Sequence, residues 1–429
     1  MKINILRLIS YIALCVSPTA SSAQEPPFEV SDVSFLIPPS AVSIHVAGGD
    51  GQRPLLSREV FMKFGDFIRR GHPQMGENEV YENLIVTGVR FDPCGPRYPN
   101  DWDTEKCALP NLRLIAQVHK DGQLSNSALH MVFLLRPLSD LGVGLQPKVR
   151  LNPVMRSDVI FRLKLMKTNN AEYGILTDGA AVGVHPVFGA AYNGSIRVTE
   201  FQDELKNLLE EYCVELRYLA TAVMFTDEPY GISNSRLERW VWQKGNVDHK
   251  PGGKIDLHFG GIPGFPDALK EQTFTAHQGQ RSGTAVTPPS TLPKESEGVK
   301  NSDIEKILKN AAEINRSDVP AAIDAIDRLE NPDLAFVQAE DCVSCHVTTT
   351  AREYALNATT VAPWNRKLRY EFKEDSHLTA NISESQYFIQ GANAYRTMSF
   401  AFLDGVPSVS QRTVNESLQA AHVVNLLRR

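Results

Sequence analysis

The sequence predicts two differently built parts: an α+β region with antiparallel strands over residues 24–278 and an all-α domain over residues 302–429. Three observations lead there. Short runs of alternating apolar residues recur in the first part, residues 279–301 lose that pattern, and beyond them the apolar spacing becomes helical. A chain of 429 residues is also too long for one ordinary core.

Strand patterns fall at Leu84–Phe91, Leu112–His119 and Ala128–Leu135. The last two flank Lys120-Asp121-Gly122, a turn sequence, and predict an antiparallel hairpin. A helix is expected over Glu200–Cys213, where Leu205, Leu208, Leu209 and Tyr212 recur at helical spacing, followed by strands at Leu216–Phe225 and Arg239–Gln243. Gly260-Gly261-Ile262-Pro263-Gly264 reads as a loop, without the strand–helix frame of a nucleotide site. Residues 279–301 collect Pro, Ser, Thr and Gly and read as a linker. Helices are then expected at Asp303–Asn315, Pro320–Leu329 and Val414–Leu427, and Thr413-Val414-Asn415-Glu416 has the spacing of a capping box.

Residues 1–23 read as a secretory signal. Lys2 and Arg7 give the positive start, Leu8 to Val16 are mostly apolar, and Ser21-Ser22-Ala23 offers a small-residue cleavage site. The apolar run is shorter than the ~20 residues that span a bilayer, and no later segment is long and apolar enough, so no transmembrane segment is expected once the signal is removed. Cys15 does not fit lipidation, because Leu14 stands where a small residue belongs. The expected location is periplasmic or secreted. A net charge of −6 argues against a nucleic-acid binder and leaves small molecules and proteins as partners.

In an oxidising compartment, Cys94 and Cys107, which flank a short loop rich in Pro, Gly and Asp, are expected to form a disulfide. In the chain-entropy account such a closure contributes about 3 kcal/mol. A metal or redox role for the pair is the alternative. Cys213 ends an apolar helical face and reads as a buried thiol.

The chemistry sits at Asp341-Cys342-Val343-Ser344-Cys345-His346, which contains Cys-x-x-Cys-His. Two thiols one helical turn apart can add to the two vinyl groups of a haem, and the next residue, a histidine, then lies beneath the iron. Composition alone would produce the pattern in about one such chain in five hundred. A zinc site would need a second ligand pair, yet no cysteine follows Cys345; a thioredoxin-like pair would need a βαβ frame. Cys342 and Cys345 are therefore expected to hold one covalent haem c, with His346 as the proximal iron ligand. Beyond His346 the chain has a single methionine, Met398, the expected distal ligand; His377, His422 and an open iron are the alternatives.

On these residues, the C-terminal part resembles a mono-haem class I cytochrome c, fused to an exported N-terminal region of no recognised family. The resemblance implies an all-α cytochrome c-like domain, thioethers at Cys342 and Cys345, and His346 and Met398 as ligands. One departure is that Asn331–Asp341 separates the first helix from the motif, where such cytochromes run the helix straight in.

Upstream, His45, His72, His119, His130, His185, His249, His258 and His277 fall in no tight ligand pattern, although His119 and His130 lie near the hairpin and can be imagined face to face. The leading expectation is an electron carrier, with a redox protein as partner. An oxidoreductase whose N-terminal part discharges into the haem is the alternative, as is an envelope interaction protein with an accessory haem.

Overall fold

Asp121 and Gly122 both take positive φ, 53° and 78°, as a two-residue type I′ turn requires. They join β3 (Asn111–Lys120) to β4 (Gln123–Leu134) in the antiparallel hairpin that the sequence predicts. The computed structural model describes residues 26–41, 44–48, 53–94, 109–135, 153–189, 194–229, 237–250, 254–262, 270–277, 285–287, 326–327, 329–332, 342–343, 345–349, 352 and 400–427.

The hairpin is the centre of a ten-stranded sheet. Its other strands are β1 (Ser34–Leu36), β2 (Leu84–Asp92), β5 (Gly183–Val184), β6 (Leu219–Pro229), β7 (Leu237–Lys250), β8 (Lys254–Phe259), β9 (Glu271–His277) and β10 (Ala285–Thr287). They run in the order β10-β9-β7-β6-β4-β3-β2-β1-β5, with β8 also on β7. Every pair is antiparallel except β1 with β5. β10 lies inside the stretch that reads as a linker.

Directly opposed residues of an antiparallel pair share a face. The register therefore puts Arg113, Gln117, His130, Phe225, Trp242 and Gln272 on one face. Opposite it, Gly71, closing the Asp66–Gly71 helix, packs on Ser127 and Thr226. Phe35 of β1 meets Phe201 on that side, at 5.8 Å between ring centroids. Phe201 belongs to the Ile196–Tyr212 helix, which Ser195 caps by accepting from Val198 N–H and which buries Val198, Phe201, Leu205, Leu208 and Leu209 along one stripe.

The expected all-α cytochrome c-like domain over residues 302–429 is not what forms. Residues β11 (Ala401–Leu403) and β12 (Val406–Ser408) make a second hairpin around Asp404-Gly405, again with both φ positive, and the Gln411–Leu427 helix follows. That helix is buried against the sheet, which its mixed polar and apolar sequence did not advertise. Asn425 accepts from Phe28 N–H at 2.7 Å and donates to Phe28 C=O at 3.0 Å, and Ser417 Oγ donates to Ser34 Oγ at 2.7 Å. Thr413 is not the helix cap; its N–H donates to Ser410 Oγ at 3.3 Å, one turn earlier.

The signal at 1–23, the Asp303–Asn315 helix, Cys107, His377 and Met398 lie outside the described residues. Among the described residues, no helix is long and apolar enough to cross a membrane.

Candidate functional site

Residues 342–343 and 345–349 are helical, so Cys342 and Cys345 stand about one turn apart, with His346 next to the second thiol. This turn lies on the sheet face that carries Gln117 and His130. Val343 N–H donates to Gln272 Oε1 at 3.0 Å, and Gln272 is buried opposite Trp242 on β9. Thr349 Oγ1 donates to Glu330 Oε1 and accepts from Gln411 N–H, both at 3.0 Å. Arg352 binds Glu330 and Asp327, while Asn415 Nδ2 donates to Glu330 C=O at 2.8 Å. Burial pushes the Glu330 carboxyl up, against the pull of Arg352. The motif is thus fixed at one end by β9 and at the other by the terminal helix.

The His346 ring is packed into an aromatic wall. Its centroid is 5.4 Å from Trp242, 5.6 Å from Phe225 and 6.4 Å from His130. Strand pairing produces the wall, because Phe225 is opposite Trp242 on one side and Ala128, two residues from His130, on the other. Lys244, two residues beyond Trp242 and on the same face, feels Cys342; burial lowers its ammonium pKa, and the negative charge of a Cys342 thiolate works the other way.

Three polar atoms on this wall are sealed from solvent and lack a hydrogen-bond partner among the described residues: His130 Nε2, Trp240 Nε1 and Trp242 Nε1. Each such atom costs about 1–3 kcal/mol. Burial, followed by the charges of His346 and Arg113, lowers His130 to about 3, so its imidazole is neutral. In donor chemistry, two helical thiols, a following imidazole and an apolar aromatic wall match what a covalently held haem would need. One side chain stands in the way. Phe225 is almost equidistant from both imidazoles, 5.6 Å from His346 and 5.5 Å from His130, so its ring must turn aside for a flat macrocycle to lie on His346.

The expected functional residues are distributed as follows. Cys342, Cys345 and His346 come together on the wall. Cys94 is disulfide-bonded, and Leu109 N–H donates to its C=O at 3.1 Å, so the ends of the loop that contains Cys107 meet. Cys213 is a free, buried thiol whose pKa burial raises. His422 is buried on the terminal helix. His119 and His130 do not face one another: His119 is opposite Leu124 and His130 is opposite Ile115. His130, which the sequence pairs only with His119, lies instead beside Phe225 and His346. A separate cleft of about 600 Å³ lies beside Ser57, Cys213 and Glu215, where Ser57 N–H and Oγ both donate to Glu215 at 2.9 Å. Among the described residues, no group of three or more His, Cys, Asp or Glu side chains is arranged to hold a metal ion.

No family model, curated protein or solved structure matches this chain.

Proposed function

We propose that the protein is an exported c-type cytochrome whose single covalent haem, on Cys342, Cys345 and His346, serves one-electron transfer to or from a partner protein. The observation that carries the reading is the helical Cys-x-x-Cys-His turn lying against an aromatic wall that contains orphaned polar atoms. The bound haem supplies a one-electron couple. Cys342 and Cys345 would tether it and His346 would ligate the iron. Phe225, Trp240 and Trp242 keep water from the His346 side. The Cys94 disulfide and the pattern of residues 1–23 support an oxidising compartment, periplasmic or secreted. In this reading the residues that would hold the haem lie on a short helical turn over one sheet face.

The test is expression with an export signal and a haem-attachment system, followed by mass measurement of the denatured chain. One added haem mass is expected, together with a reversible oxidised–reduced spectrum. Cys342→Ser combined with Cys345→Ser should abolish covalent attachment. An intact chain that repeatedly lacks haem mass under these conditions overturns the proposal.

A further inference from the structure

We infer that the cleft beside Ser57 and Glu215 takes a short apolar peptide by its free amino terminus, with the terminal ammonium on Glu215 and the carboxylate at Arg53 and Lys254. Nothing in this site depends on a bound haem.

Glu215 lies deep in the cleft. It is 6% exposed, and Ser57 fixes it by donating its N–H and its Oγ to one and the same oxygen, Oε1, at 2.9 Å each. Among the described residues Oε2 takes no hydrogen bond, and Glu215 lines the open space of about 600 Å³. The nearby Tyr81 hydroxyl does not serve Oε2, because it donates to Leu56 C=O at 2.7 Å. A glutamine would accept both Ser57 bonds through its amide oxygen without burying a charge, so holding Ser57 does not explain the carboxylate. A cation that brings its own N–H donors does. Burial pushes the Glu215 carboxyl up, the Ser57 bonds pull it back, Glu59 pushes it up again and His249 opposes. A bound ammonium would offset the burial.

The rest of the lining sorts by depth. Leu55 and Val60 are buried and, with Val214 and Ile255, make the walls apolar. The exposed positions carry the remaining charges: Arg53 and Lys254 are cationic, Glu59 and Glu210 anionic. A plain alkylammonium would leave both cations unused, and a plain anion would meet Glu215. A zwitterion with an apolar body satisfies both ends. The space of about 600 Å³ falls in the range of small-molecule sites and exceeds what one amino acid fills, which selects a short peptide.

The test is isothermal titration of the full chain, its fold confirmed by circular dichroism. Leucyl-leucine is compared with its N-acetyl form, its C-terminal amide and free leucine. Leucyl-leucine should bind saturably. The N-acetyl form, which lacks the ammonium, should bind about tenfold more weakly or worse, with the amide and free leucine in between. Glu215→Gln should weaken leucyl-leucine by the same factor and leave the N-acetyl form unchanged. Arg53→Glu combined with Lys254→Glu, both at exposed positions, should weaken leucyl-leucine and spare its amide. That pair and the acetylated probe decide the matter where Glu215→Gln fails to fold. Equal affinity for free and acetylated peptide overturns the assignment, as does the absence of saturable leucyl-leucine binding. Wild-type affinity in a folded Glu215→Gln chain overturns it too, and tighter binding of free leucine than of leucyl-leucine rejects a peptide as the occupant.

Discussion

Gln117 and Phe402 pair as two strands would, across 285 residues of sequence: the Gln117 amide donates to Phe402 C=O at 2.6 Å and accepts from Phe402 N–H at 2.8 Å. The same amide donates to Ser125 C=O at 2.8 Å and accepts from Thr87 Oγ1 at 2.9 Å, so both its donors and both its acceptor sites are used. Gln117→Leu keeps the volume and strands four groups, at least two of them in the dry interior. The expected loss is about 3 kcal/mol, read as a lower urea midpoint with an unchanged slope.

Glu416 holds the terminal helix to the sheet. It is buried among Arg90, Arg113 and Arg412, with Arg412 Nε donating at 2.6 Å. Burial acts to raise its pKa, but Arg90, Arg412 and Arg113 together win and hold the carboxyl well below its ordinary value. Glu416→Gln removes the carboxylate shared by Arg90, Arg113 and Arg412, leaving Arg113 with Asp92 at 3.6 Å, and a loss of about 3–5 kcal/mol is expected. Thermal melting combined with proteolysis near residue 400 would check it; a melting temperature within a degree of wild type would contradict the role.

Acid should weaken the fold through buried histidines. Burial lowers His72 from 6.5 to about 4, and burial with Arg197 and Lys167 lowers His185 to about 3. The unfolded chain binds protons at these residues that the folded chain excludes. Stability is therefore complete above the ordinary histidine range and falls as the pH drops through it, by up to about 1.4 kcal/mol per unit for each residue. His185→Phe removes one titration, so its urea midpoint should depend less on pH between 7 and 5 than that of the wild type. Equal slopes would refute this.

Gly71 has no room for a side chain. A Cβ there would collide with Thr226 Oγ1 and come within 2.9 Å of Ser127 Oγ. Gly71→Ala is expected to cost about 1–3 kcal/mol. Thr226→Ala in the same chain should recover part of that loss, and a double-mutant cycle would show coupling of about 1 kcal/mol or more.

What the sequence made legible was local. The Asp121-Gly122 turn, the alternating strands beside it and the Cys-x-x-Cys-His turn are written in neighbouring residues, and each is found within the described structure. The interior of the sheet was harder to foresee. Alternation marks a strand but not the strand it pairs with, so nothing announced that Phe225 would stand between Trp242 and Ala128. The terminal helix misled for a similar reason. Glu416 beside Thr413 looks like a solvent-facing cap, because its true partners, Arg90 and Arg113, lie on strands far upstream. Helical periodicity after residue 300 gave an all-α domain where the chain instead returns to cover the sheet.

Asn425 grips both backbone groups of Phe28, so the Gln411–Leu427 helix closes over the segment that leads into β1. Contacts of such span make assembly slow and nearly all-or-none, since no early portion reaches its last packing before the final helix arrives.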